Sequence, residues 1–324
     1  MSSKKIIKTP VESELKNFEP YFKRSTKTDI PLLDTIINYI LRRKGKQMRP
    51  ILVFLAAKLN GSFNERTYHA ALTIELLHTA TLVHDDVVDE SYQRRGFFSV
   101  NAVWKNKLAV LVGDFILAKG LLWSLEHEDY DLLQHISVAV RDMSEGEILQ
   151  IEKARKLDIT EDVYFEIIKK KTASLMAAAS AVGTCSVSDD KDKTALMKQF
   201  GEYAGIAFQI KDDLFDFQKS GLIGKPAGND IREKKITLPL IYSLRESANS
   251  EKRKILKIIK KRDKTSADIN EVIKFANEKG GIDYTEQMMN HYRDKATDII
   301  NTYPESDVKK ALLEYVKYVI ERKK

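Results

Sequence analysis

Cysteine is almost missing from this chain: Cys185 stands alone among 324 residues. A lone thiol forms no internal disulfide and supplies no cysteine metal cluster. Its apolar, small-residue surroundings favour buried packing over nucleophilic chemistry. Strand signals are equally scarce. No sustained period-two alternation is bounded by hairpin turns, and no glycine-rich loop follows a strand, which excludes a strand-borne phosphate loop. No apolar run is expected to reach the roughly 18 residues of a membrane span. The longest candidate, Leu175 to Val187, is short and rich in Ala, Ser and Gly. Met1 to Pro10 is basic but has no apolar core, so a secretory signal is not expected and a cytoplasmic location is the default. Basic residues are not interleaved with aromatics, so a formal net charge of +7 gives no nucleic-acid signature. The Lys252-Arg253-Lys254 and Lys260-Lys261-Arg262 runs read as solvated helix faces.

What is present is helical periodicity. A hydrophobic content of 43% is ample for a large core. Leu32, Leu33, Ile36, Ile37, Ile40 and Leu41 recur on one helix face after Pro31, a favoured first-turn residue. A second helix is expected from Pro50 to Leu59, stopped by Asn60-Gly61. A third runs from Thr67 to about Glu90. Further helices are expected over Lys107 to Trp123, Leu132 to Glu152, Val163 to Ala181, Ala195 to Phe217, Leu238 to Leu244, Ile255 to Lys260, Ser266 to Lys279, Tyr284 to Tyr303 and Ser306 to Glu321. Gly221 to Asn229 reads as a loop. The expectation is one all-α domain over residues 1–324, with residues 1–30 a partly helical extension.

Two acidic motifs share one spacing: Asp85-Asp86-Val87-Val88-Asp89 and Asp212-Asp213-Leu214-Phe215-Asp216. On a helix the first and last aspartates of each lie one turn apart on one face, where like charges repel unless a cation or strong donors stand near. Both sit among apolar residues, where an unpaired carboxylate is costly. Hard oxygen donors select Mg²⁺, with Mn²⁺ fitting the same set, and substrate phosphate oxygens complete the shell. Such clusters neutralise the charge on a departing diphosphate. Basic residues accompany them: Lys46 and Arg49 at a helix start, a natural anion site, Arg94 and Arg95 after the first motif, Lys171 in an apolar helix, Lys225 and Lys235 after the second. The Glu75-x-x-His78 spacing also occurs in ferritin-like carboxylate bundles, but no second copy accompanies it.

Gly45 to Pro50, His84 to Asp89 with Arg94-Arg95-Gly96, Lys171-Thr172, Phe208-Gln209 before Asp212 to Asp216, and Gly224-Lys225 with Lys235-x-Thr237-Leu238-Pro239 together resemble the trans-polyprenyl diphosphate synthases, in the family's order and from about Pro31 onward. Leu76 to Gly96 is most similar to the long-chain, octaprenyl-type members. Lys234-Lys235-Ile236-Thr237 departs slightly, since relatives often carry Gly-Lys-Pro-Thr there.

The resemblance implies an isoprenoid-synthase bundle with a central cavity, acting as a homodimer. It implies a reaction in which an allylic diphosphate ionises, isopentenyl diphosphate attacks the allyl cation and a proton leaves. Asp85, Asp86, Asp89, Asp212, Asp213, Asp216 and Lys171 would be catalytic, with Mg²⁺ on Asp85, Asp89 and Asp212. Lys46, Arg49, His78 and Arg95 would bind isopentenyl diphosphate; Arg94, Lys171, Thr172, Gln209 and Lys225, with Lys235 beside them, would serve the allylic substrate. Ala80, where short-chain members often carry an aromatic, would with Leu77 and Leu76 set product length. That predicts an octaprenyl-like product for quinone side chains, passed to membrane enzymes. A short-chain farnesyl or geranylgeranyl synthase is the alternative, and a class I terpene cyclase or a non-catalytic subunit a weaker one.

Overall fold

The periodic segments do become helices. The computed structural model describes residues 2–42, 47–94, 96–217 and 228–321, and among these the fold is all-α, its only strands being the two-residue pair Gln93–Arg94 and Phe97–Phe98. Gly96, at φ +80°, closes the turn between them in a conformation that L side chains rarely adopt. The chain divides into two compact units, Met1–Val140 with Ala178–Lys198 and Glu305–Leu312, and Arg141–Ala177 with Gln199–Pro304 and Leu313–Lys324.

The first unit opens with α1 (Ser3–Lys8) and α2 (Glu12–Ser25), so the expected N-terminal extension is largely helical. Next come α3 (Pro31–Leu41), α4 (Met48–Asn60), α5 (Glu65–Val88) and α6 (Val100–Glu126). From Ile51 to Ala57 α4 is fully buried, which marks it as the unit's central helix. Asn64 caps α5 by accepting a 3.0 Å bond from the Thr67 amide, a local signal that fixes the start of the helix. Packing along α5, α6 begins well before the expected Lys107 and is interrupted at Lys105, whose φ of 70° is not helical. It corrects the expectation about membrane spans: α6 is long and apolar enough to cross one by length and composition, although it carries Lys107, Asp114 and Lys119.

Four helices contribute residues to both units: α7 (Tyr130–Lys156), α9 (Ser174–Cys185), α10 (Lys191–Phe217) and α16 (Asp307–Glu321). The second unit adds α8 (Glu161–Ile168), α11 (Asn229–Arg232), α12 (Leu238–Arg245), α13 (Asn249–Lys260), α14 (Ser266–Glu278) and α15 (Gly281–Asn301). The single helix expected from Val163 to Ala181 is broken by a π-helical turn, Lys169–Ala173. Such turns are rare and tend to mark functional positions; this one carries Lys171 and Thr172. Two glycines let neighbours close on it. A Cβ at Gly205 would lie 2.6 Å from the Cα of Ala173, and one at Gly146 would lie 2.7 Å from the backbone nitrogen of Lys171.

Candidate active site

In the first unit, Asp85 and Asp86 occupy the last turn of α5 and Asp89 is its C-terminal cap. The Asp89 amide donates to the Asp85 carbonyl at 2.8 Å, so the one-turn spacing read from sequence holds to the end of the helix. The three carboxylates differ in setting: Asp89 is exposed, Asp85 half-buried and Asp86 buried. The Asp86 carbonyl accepts from the Asn101 side chain at 3.0 Å and from the Ser91 amide at 2.9 Å, tying the motif to the start of α6 and to the turn that leads into Arg94. His84 lies beside α6, its Nε2 3.3 Å from an Asp114 oxygen. His78 is buried within α5, one turn after Glu75.

Arg49 stands half-buried in the first turn of α4, two residues after Gln47, whose φ of 52° turns the chain into the helix. Lys46 and Arg95 lie outside the described residues, and of Arg94 only the backbone is described. Ala80, Leu77 and Leu76 are each 1% exposed. The two leucines pack over Gly120 of α6, where an added Cβ would lie 3.4 Å from Leu76 and 3.6 Å from Leu77.

The second unit holds a cavity of about 110 Å³ whose lining includes Lys171, Thr172, Gln209, Asp213 and Lys235 from the sequence reading, with Tyr164, Gln150, Lys153, Asp230 and Thr237 added to them. Lys225 lies outside the described residues. Lys171 is paired with Glu147 at 2.5 Å and Gln150 at 3.2 Å. Lys235 is paired with Glu233 at 2.6 Å. Asp213 is buried and accepts from Tyr164 Oη at 2.7 Å and from Gln209 Nε2 at 2.8 Å, while Thr172 donates to Gln209 Oε1 at 2.7 Å. The Thr237 hydroxyl oxygen, in the cavity wall, is buried with no hydrogen-bond partner. Asp216 has a structural duty: its two oxygens accept the Asn229 and Asp230 amides, both at 2.9 Å, and so cap α11. Asp212 is half-buried.

The cavity wall sets two carboxylates, Asp213 and Asp230, among three lysines, Lys153, Lys171 and Lys235. Burial, reinforced by Asp230, pushes the Asp213 carboxyl up to about 8, against the opposing pull of its bonds from Tyr164 and Gln209. Burial and Asp216 push Asp230 up to about 6. Burial next to Asp213 also raises the Tyr164 phenol. Crowded carboxylates beside three lysines suit a ligand pair of a cation and a polyanion. Among the described residues no group of three His, Cys, Asp or Glu side chains forms a metal cage.

Sequence reasoning missed Tyr164, Asp230, Gln150, Glu147 and Lys153. Asp230 follows the stretch read as a loop, and the others sit on helix faces that nothing in the pattern distinguishes. Thr237 was part of a motif but not of the candidate site.

A family model described as polyprenyl synthetase matches residues 30–276. The all-trans-nonaprenyl-diphosphate synthase (geranyl-diphosphate specific) of Rhodobacter capsulatus is 33% identical, with 98% of each chain covered. The solved polyprenyl synthase of Caulobacter crescentus CB15, complexed with calcium and isoprenyl diphosphate, superposes with a TM-score of 0.89 at 32% identity, with 98% of each chain covered. A geranylgeranyl pyrophosphate synthase from Bacteroides thetaiotaomicron gives a TM-score of 0.84 at 38% identity, covering 99% of this chain and 100% of its own.

Proposed function

The chain belongs to the polyprenyl synthetase family and is a trans-prenyltransferase, and from that premise we propose that it condenses isopentenyl diphosphate with an allylic diphosphate to make a long-chain, octaprenyl-like product. The observation that carries the reading is the cavity of the second unit, where Lys171, Gln209 and Lys235 stand beside Asp213. Lys171 and Lys235 would exchange their glutamate partners for diphosphate oxygens, the half-buried setting strengthening those bonds. The apolar wall made by Ile159, Ile167, Ile168 and Ile236 would shield the allyl cation from water.

The family binds diphosphate through divalent metal. Asp85, Asp89 and Asp212 are the proposed ligands and Mg²⁺ the proposed ion. When bound, it supplies neutralisation of the charge that develops on the leaving diphosphate. Lys46, Arg49, His78 and Arg95 are assigned to isopentenyl diphosphate, and Arg94, Lys171, Thr172, Gln209, Lys225 and Lys235 to the allylic substrate. The small, buried Ala80 supports a long product, and the long-chain relative points the same way; the geranylgeranyl synthase at 38% identity favours the short-chain alternative.

Val110, Leu111, Leu122 and Leu125 are exposed on one face of α6, which supports a homodimer closed over that face. Water-soluble diphosphate substrates support a cytoplasmic location. The test of the metal assignment is to replace Asp85 and Asp212 singly with Ala and follow Mg²⁺-dependent turnover. A fall of about 10²-fold or more is expected in each, and near-normal activity in both would remove the assignment.

A further inference from the structure

Thr172, Gln209, Asp213 and Tyr164 form a continuous row of hydrogen bonds along the cavity wall, at 2.7, 2.8 and 2.7 Å. Its direction follows from the chemistry at one end. Tyr164 Oη donates to one Asp213 oxygen, and the other accepts from the Gln209 amide nitrogen. The Gln209 carbonyl oxygen is then left for Thr172, whose hydroxyl must donate. The Gln209 amide is thereby held in one orientation, in the wall of the cavity that Lys171 also lines. Tyr164, at 3% exposure, reaches the row from α8, two turns before Lys171 on the same helical run.

We propose that Tyr164 is a positioning residue for the allylic diphosphate: by holding Asp213 it fixes the orientation of the Gln209 amide in the cavity wall that Lys171 also lines. Asp213 then acts as an orienting group and not as a metal ligand, so the metal-binding share of the second acidic motif falls to Asp212. The inference rests on the proposed reading that Gln209 and Lys171 hold the allylic substrate.

The test is steady-state kinetics on the full chain with farnesyl diphosphate, isopentenyl diphosphate and Mg²⁺, comparing the unaltered enzyme with Tyr164→Phe, Asp213→Asn and Asp212→Asn. Tyr164→Phe keeps the ring and removes only the donor. It should raise the allylic KM about tenfold, the size of one lost charge-assisted bond, and leave the KM for isopentenyl diphosphate and the Mg²⁺ midpoint unchanged. Calorimetric binding of inorganic diphosphate, which needs no turnover, should weaken by the same factor. Asp213→Asn leaves one acceptor where two stood and forces the Tyr164 hydroxyl from donor to acceptor, weakening the row at its centre, and should repeat this pattern, whereas Asp212→Asn should move the Mg²⁺ midpoint. Should Tyr164→Phe fail to fold, Asp213→Asn carries the test. A folded Tyr164→Phe with an unaltered allylic KM, an equal rise in both KM values, or an Mg²⁺ midpoint in Asp213→Asn displaced as far as in Asp212→Asn overturns the proposal. An unaltered enzyme that elongates nothing overturns the functional reading first.

Discussion

A Cβ built on Gly146 would lie 2.7 Å from the backbone nitrogen of Lys171. No side chain fits at that separation, so α7 and the π-helical turn touch backbone to backbone, and the lysine that lines the cavity owes its placement to a hydrogen atom on its neighbour. A Cβ on Gly205 of α10 would likewise lie 2.6 Å from the Cα of Ala173, in the same turn. Gly146→Ala and Gly205→Ala should each destabilise the chain by about 1–3 kcal/mol, the usual cost of overpacking. Because the displaced segment carries Lys171 and Thr172, the allylic KM should rise as well. Thermal melts and steady-state kinetics on both variants check this; unchanged melting and unchanged KM would show that the contact is not built to that tolerance.

Ala80 is buried on the same α5 whose end carries the first acidic motif, with Leu77 and Leu76 a turn behind it over Gly120. Ala80→Phe adds a ring where a growing apolar chain would pass. The expected outcome is a shorter product with initial elongation retained, read by sizing the prenyl products. The same product ladder in the variant would remove Ala80 from the product path.

Cys185 tests the first unit by a chemistry unrelated to catalysis. Burial, then the neighbouring Asp131 carboxylate, pushes its thiol up to about 12, and Sγ donates to Asp131 Oδ2 at 3.5 Å. Below that pKa the thiolate fraction grows about tenfold per pH unit. Iodoacetamide labelling of the native protein should therefore be slow and still climbing at pH 9.5, where an ordinary surface thiol levels off. Unfolding should abolish the difference. A plateau near pH 9 in the native protein would contradict the burial of the thiol.

Periodicity and spacing made the helices and the two acidic motifs legible, because both depend on contacts within a turn or two of chain. Asp85 to Asp89 ends α5 and Asp212 to Asp216 ends α10 as the pattern requires. The Thr172–Gln209 bond joins residues that the motif comparison had already paired with one substrate. Tyr164 was invisible because its partner lies 49 positions away, and nothing local distinguishes a tyrosine that will meet Asp213 from one that fills a core. Asp216 as the cap of α11 was hidden for the same reason: the capped helix has four residues, too few to announce itself by pattern. The π-helical turn was missed because its registry depends on Gly146 and Gly205 pressing from neighbouring helices. The apolar length of α6 was underread because Asp114 and Lys119 interrupt a stretch that is otherwise continuous.

The most direct test is elongation itself. Purified protein is incubated with labelled isopentenyl diphosphate, farnesyl diphosphate and Mg²⁺, with an EDTA control, and the products are sized. A metal-dependent ladder that ends at one long chain length is the predicted result. No elongation from farnesyl, geranylgeranyl or shorter primers, with Mg²⁺ present and the protein folded, would contradict it.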